Sequence, residues 1–131
     1  YERNLRALRA LDEPVSVLSS FSRSLLASLV LGADGILSGH GSIVVDLQVE
    51  LFRAVEKQDV AEARRVWDRI QPVAEACYAD PFLDGHNRMK VALAQLGRID
   101  AAHVRPPLQP VSDAERATLR AAVERAELPR G

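Results

Sequence analysis

Two short strand-like segments, separated by one helical segment, restrict the possible fold of this chain more than any other feature. Val15–Ser20 is rich in β-branched residues and Asp34–Gly39 is bounded by glycines, so each segment predicts a buried strand. The intervening segment Leu25–Leu31 predicts a helix that Ser22 caps and Gly32 ends. Strands joined in this way are expected to lie parallel, through a right-handed crossover.

The rest of the chain predicts helices. Apolar stripes and capping residues indicate one helix before the strands, at Leu5–Leu11 and ending before Pro14, and four after them: Ile43–Val55, Asp59–Cys77, Asn87–Leu96 with Gly97 as its end, and Ser112 to about Glu127. Pro72 is expected to kink or interrupt the second of these four helices. The proline-rich run Arg105–Pro110 is expected to be extended.

Two strands alone do not form a stable sheet, because both keep an unpaired edge and their apolar face stays uncovered. The order helix, strand, helix, strand and then helices only is typical of the end of a β/α barrel with an appended helical bundle. The chain also begins at Tyr1 within a helical pattern, without an initiator methionine. We therefore expect it to be a piece of a longer protein.

Composition argues against several classes of function. The net charge is −1, and the 17 basic residues are scattered among 18 acidic ones, so we expect no nucleic-acid partner. The longest strongly apolar stretch, Ser24–Gly32, is far shorter than the ~20 residues that span a bilayer, so we expect no membrane partner. Cys77 is the only cysteine, which excludes an internal disulfide and favours a reducing, cytoplasmic location.

Four motifs resemble the dihydrodipicolinate synthase and N-acetylneuraminate lyase family. Leu31–Gly39 (LGADGILSG) is similar to its Gly-Ala-Asp-Gly turn into a strand ending in Ile-Ser, and Asp59–Arg64 (DVAEAR) to a helical segment carrying Glu-Ala. Arg88–Gly97 (RMKVALAQLG) is similar to its Val-Lys-x-Ala-Leu-x-x-Leu-Gly helix. Val104–Leu108 (VRPPL) is similar to its Arg-x-Pro-Leu passage. The motifs occur in the family's order across nearly the whole chain.

The resemblance implies an α/β fold that is the C-terminal portion of a (β/α)8 TIM barrel, strands 7 and 8, followed by an appended three- to four-helix bundle. Residues 1–45 would form the end of the barrel, with helix 6, strand 7, helix 7 and strand 8. Residues 46–131 would form the last barrel helix and the C-terminal helical extension.

The resemblance also implies a homotetrameric class I aldolase-type lyase or dehydratase that acts on a small 2-oxo acid or sugar acid without a cofactor. A lysine ending strand 6 would form a Schiff base with pyruvate, a tyrosine after strand 5 would relay protons, and a loop after strand 2 would bind the carboxylate. By register all three lie upstream, so we expect no catalytic residue here and no turnover by this piece alone. Lys57 lies in a polar turn, and Lys90 matches the family's second lysine, outside the barrel mouth; neither is expected to be the Schiff-base lysine.

Active sites of such barrels lie at the C-terminal ends of the strands. That rule and the resemblance together predict a substrate pocket lined by Ser20, Leu37, Ser38, Gly39 and His40. His40 has two interpretations: its imidazole hydrogen-bonds a substrate, or it caps the next helix.

No metal site is expected at the other candidate ligands. His86, His103 and Cys77 share no ligand spacing with each other or with His40.

Four positions depart from the family pattern. Ser20 replaces a frequent glycine, Phe21 and Ser22 an acidic pair, Ser42 a frequent asparagine and Val45 a frequent proline. These departures argue against diaminopimelate-pathway synthase activity and leave the broader lyase family open. The alternative is a non-enzymatic, mostly helical interaction module, and the sequence upstream of Tyr1 would distinguish the two.

Overall fold

The computed structural model describes residues 2–13 and 15–131; Pro14, expected to end the first helix, lies outside the described residues, as does Tyr1. Two strands and six α-helices follow one another as α1 (Glu2–Arg9), β1 (Leu18–Ser19), α2 (Leu25–Val30), β2 (Gly35–Ile36), α3 (Gly41–Glu56), α4 (Val60–Cys77), α5 (Gly85–Gln95) and α6 (Asp113–Arg125). Short 3-10 turns at Ser22–Ser24 and Phe82–Asp84 precede α2 and α5.

The two strands pair in parallel, which confirms the predicted β-α-β unit. Leu18 lies opposite Gly35 and Ser19 opposite Ile36. One further bond flanks the ladder at its C-terminal end, where Leu37 N donates to Ser19 O at 2.9 Å. The strands are shorter than the six residues predicted for each, because each has one neighbour among the described residues and a two-stranded ladder is marginal by itself.

The sheet has one open face and one face covered by helices. Leu18 is 52% exposed, whereas Ser19 is 1% exposed. Leu18 and Gly35 share the open face, since a Cβ added at Gly35 would lie 2.9 Å from Leu18 Cδ2. Side chains alternate along a strand, so Leu37, which is 68% exposed, follows Gly35 onto the open face.

The turn into β2 is held by Asp34. Its carboxylate accepts hydrogen bonds from Val17 N at 2.7 Å and from Arg9 Nη2 at 2.8 Å. The bond from the Val17 amide, helped by the Arg9 guanidinium, lowers the pKa of the Asp34 carboxyl. Gly32, with φ +100°, ends α2 as predicted, because a left-handed conformation favours glycine. Asp34 thus ties α1, β1 and β2 together.

The core lies between the helices. The fully buried aliphatic side chains come from α2 to α6 and include Leu25, Ile43, Leu51, Val66, Ile70, Val91 and Leu119. The predicted buried stripe of α4 is confirmed at Val66, Ile70, Val73, Ala74 and Cys77, whereas Trp67 is half-buried.

Two of the predicted local features are wrong. Pro72 does not interrupt α4, because the helix continues through it between the buried Ile70 and Val73; tertiary packing outweighs one lost backbone bond. Ser22 does not cap α2, which begins three residues later without a side-chain cap. The Asp59 cap is confirmed, with Glu62 N donating to Asp59 Oδ1 at 3.0 Å.

The boundary expected between residues 45 and 46 falls within α3. It lies next to Val44, whose φ of −118° and ψ of 30° are not helical. Arg98 Nη1 donates to the carbonyl oxygens of Ser42 and Ile43, at 3.2 and 2.8 Å, and so binds two carbonyls beside this kink. In the described part of the chain, no helix combines the length and hydropathy needed to cross a membrane.

The capping box that begins α6 supplies a stability prediction. Ser112 Oγ accepts a hydrogen bond from Glu115 N at 3.3 Å, and Glu115 Oε2 accepts one from Ser112 N at 3.2 Å. Replacing Ser112 with alanine is expected to reduce the free energy of unfolding by about 1 kcal/mol, measured by urea denaturation. Ser112→Thr keeps an oxygen at the cap and is the matched control; an equal loss in both variants would contradict the capping role.

Candidate functional site

The predicted pocket residues meet where the two strands end. The bond from Leu37 N to Ser19 O brings the end of β2 beside the end of β1. Ser20, Leu37 and Gly39 are exposed there, Ser38 is half-buried and His40 is fully buried. Ser20 and Leu37 each follow a ladder residue by one position and therefore belong to the open face. Ser38 points the other way, toward the helices.

A chain of polar side chains lies behind this open face. His40 Nδ1 is 2.6 Å from Ser38 Oγ, which is 2.7 Å from Ser22 Oγ. Ser22 Oγ donates to Tyr78 Oη at 3.0 Å. Tyr78 directly follows α4, so the network connects the ends of both strands with the helical layer.

The imidazole of His40 is enclosed. Its ring meets Tyr78 edge to face with centroids 5.8 Å apart, and its Nε2 has no hydrogen-bond partner among the described residues. Burial lowers the pKa of His40 from 6.5 to about 4, so the ring is neutral near neutral pH. The helix-capping interpretation is wrong, since His40 is the N-cap of α3 but its side chain makes no capping bond; Ser38 holds the ring instead.

Two members of the network were not predicted as site residues. Ser22 and Tyr78 are 56 residues apart in the sequence. No local pattern joins them, and Tyr78 could be singled out only as an aromatic residue just past the buried stripe of α4. Phe82, which stacks on Tyr78 at a centroid distance of 5.7 Å, completes the ring cluster.

The other candidates are far from this network in chemistry. Lys57 is exposed, and the exposed Lys90 donates through Nζ to His103 O at 2.8 Å. Burial raises the pKa of the Cys77 thiol to about 12, so this sulfur is not a thiolate at neutral pH. No group of three or more potential metal ligands occurs in residues 2–13 and 15–131.

The arrangement can bind but is poorly suited to covalent chemistry. Ser38 and His40 superficially resemble a nucleophile and its base, but an imidazole with a pKa of about 4 is a weak base. Nε2 of His40 also lacks the orienting partner that a catalytic triad supplies. The network therefore orients groups, while the exposed Ser20, Leu37 and Gly39 form a wall that a small molecule could contact.

Comparison with known proteins gives several consistent similarities. A 4-hydroxy-tetrahydrodipicolinate synthase of Neisseria gonorrhoeae is 28% identical over 121 residues, which are 92% of this chain and 40% of that protein. One from Oceanobacillus iheyensis is 31% identical over 112 residues, 86% of this chain and 37% of that protein. The chain thus spans about two fifths of the length of these curated relatives.

Solved structures show the same similarity. A monomeric dihydrodipicolinate synthase variant superposes with a TM-score of 0.85 at 22% identity, over 97% of this chain and 41% of that one. YagE of Escherichia coli K12, a prophage protein solved in complex with pyruvate, superposes with a TM-score of 0.73 at 27% identity, over 86% of this chain and 37% of that one.

The strongest of these similarities is that to a whole family. The sequence matches the dihydrodipicolinate synthetase family over residues 1–126, which includes the β-α-β unit, the polar network and all but the end of the helical layer. A lyase family is therefore the setting of this chain. The protein belongs to the dihydrodipicolinate synthetase family.

Proposed function

We propose that this chain supplies strands 7 and 8 and the C-terminal helices of a (β/α)8 barrel. The parent protein would be a pyruvate-dependent Schiff-base lyase or dehydratase for a small 2-oxo acid or sugar acid. One observation carries the proposal: β1 and β2 are parallel neighbours whose C-terminal ends present Ser20 and Leu37 on one uncovered face. In a closed barrel that face would be the interior, and these ends would border the active site.

In this proposal the pocket residues have two kinds of role. Ser20, Leu37 and Gly39, which are exposed, would line the pocket for the 2-oxo acid. Ser38 and His40 would support that wall from behind, because Ser38 bonds to Ser22 and His40, and the His40 imidazole is fully buried. The wall is apolar at Leu37 and polar at Ser20, which suits the methyl group and the oxygens of pyruvate.

The chemistry would come from a lysine upstream of Tyr1. Its neutral amine would attack the ketone carbon, water would leave, and the resulting imine would accept the electron pair of the C–C bond that breaks. The exposed Lys57 and Lys90 lack the burial that lowers the pKa of such a lysine.

Borohydride trapping tests the proposal. The full-length parent protein, incubated with pyruvate and sodium borohydride, is expected to gain one reduced pyruvyl adduct, detected by intact mass spectrometry. The 131-residue chain treated in parallel is expected to gain none. Absence of an adduct on the parent would contradict the Schiff-base function and favour a non-enzymatic helical module. An adduct on the 131-residue chain would contradict the upstream lysine.

We also propose a homotetramer in the reducing cytoplasm. Cys77, the only cysteine of the sequence, is fully buried and is not placed for a disulfide with a second copy. Sedimentation velocity of the full-length parent measures its oligomeric state, and a monomer would contradict the tetramer.

A further inference from the structure

The hydroxyl of Tyr78 is held rigidly by the helical layer. Tyr78 N donates to Ala74 O in the last turn of α4, so its backbone continues that helix. Its ring is stacked on Phe82 with an interplanar angle of 21°, and the edge of His40 contacts it at 81°. Contacts to two different ring systems leave the side chain little rotamer freedom, so Tyr78 Oη has a defined position.

That hydroxyl reaches the ends of both strands. After β1, Ser22 Oγ lies 3.0 Å from Tyr78 Oη. After β2, a Cβ added at Gly39 would lie 3.0 Å from the same Oη, so the backbone of Gly39 also passes close to it. Tyr78 is thus one group of the helical layer that contacts the segments following β1 and β2 together.

Ser22 transmits this contact to Ser20. Ser22 is 3% exposed, and its backbone N donates to Ser20 O at 2.9 Å. Its Oγ approaches Ser20 O at 3.5 Å and Ser38 Oγ at 2.7 Å. A serine hydroxyl has one proton and cannot donate to all these acceptors at once, so the hydroxyl of Tyr78 adds a donor and an acceptor to the cluster.

We propose that Tyr78 is a positioning residue that, through Ser22, fixes the turn Ser20–Ser22 at the ends of the strands. The consequence for a 2-oxo acid rests on the proposed function, in which Ser20 lines the pocket. Tyr78 then sets the affinity of the pocket for substrate without touching it, and does not take part in the chemical step.

Hydrogen exchange of the full-length parent tests the positioning directly. In Tyr78→Phe, which keeps the ring contacts and removes only the hydroxyl, amide exchange of the segment 19–24 is expected to accelerate about threefold to tenfold, the range for one lost hydrogen bond. Ser22→Ala should have a similar effect, and the double variant no more than either single one, because all three remove the same contact. Thr118→Val, which removes an exposed hydroxyl on α6 that bonds to Ala114 O, is the matched control and should leave this segment unchanged. Unchanged exchange in Tyr78→Phe, or additive effects in the double variant, would overturn the proposal.

Kinetics with pyruvate as the probe test the consequence. Tyr78→Phe is expected to raise the KM for pyruvate about threefold to tenfold while kcat changes less than twofold. A merely structural role would lower the amount of active enzyme and leave KM constant. An unchanged KM, or a loss confined to kcat, would overturn the role in substrate affinity. If the wild-type parent forms no trapped adduct, the proposed function fails, and the exchange experiment still decides whether Tyr78 positions the turn.

Discussion

Replacing Arg88 with methionine is expected to reduce the free energy of unfolding by about 3 kcal/mol. Arg88 is 1% exposed, at the start of α5. Its guanidinium donates to the carbonyl oxygens of Ala79, Pro81 and Asp80 and, through Nε and Nη2, to Glu115 Oε1 at 3.0 and 2.8 Å. Methionine fills a similar volume but donates nothing, so three carbonyls lose a partner and α6 loses its ion pair to α5.

The comparison that isolates this effect uses an exposed arginine of α4. Arg64→Met removes the same charge from the surface and is expected to change the unfolding free energy by about 0.5 kcal/mol or less. Both variants are compared by urea denaturation at pH 7. A loss below about 1 kcal/mol for Arg88→Met would mean that the bonds of Arg88 add little to the packing of the loop before α5 against α6.

The local signals of the sequence predict much of this fold because they act within a few residues. Gly32, Asp59 and Ser112 mark helix ends through backbone geometry or a single capping bond, and each does so in the structure. The parallel pairing of β1 and β2 is also predictable, since a strand joined to the next by a helix has few other ways to pair. Pro72 shows the limit of such signals, because the buried stripe of α4 outweighs its propensity.

The candidate site is less predictable because its contacts are tertiary. The rule that barrel sites lie at strand ends locates Ser20, Leu37 and Gly39, which are exposed there. It does not reveal that Ser38 faces the helices, or that Tyr78 lies against the segments after both strands. The polar sequence around Arg88 likewise reads as a solvated helix start, whereas its guanidinium is buried by carbonyls that converge only after folding.

A fall in stability on mild acidification is expected from His40. Burial lowers its pKa from 6.5 to about 4 in the folded protein. Below pH 6.5 the unfolded chain therefore binds a proton that the folded protein excludes until about pH 4, so the stabilisation is complete above pH 6.5 and is lost as the pH falls toward 4. The loss is expected to be about 2 kcal/mol between pH 8 and pH 5.

That pH window separates His40 from the carboxylates. Asp34, Glu62 and Glu115 have lowered pKa values, so their stabilising effect is lost mainly below pH 5, as the unfolded carboxylates become protonated. Urea denaturation from pH 8 to pH 5 is expected to show the fall in the wild type and to lose most of it in His40→Gln, whose amide can still bond to Ser38 but does not titrate. His86→Gln and His103→Gln, at exposed positions, should keep the fall. An equally steep fall in His40→Gln would mean that the buried imidazole is not the group that takes up the proton.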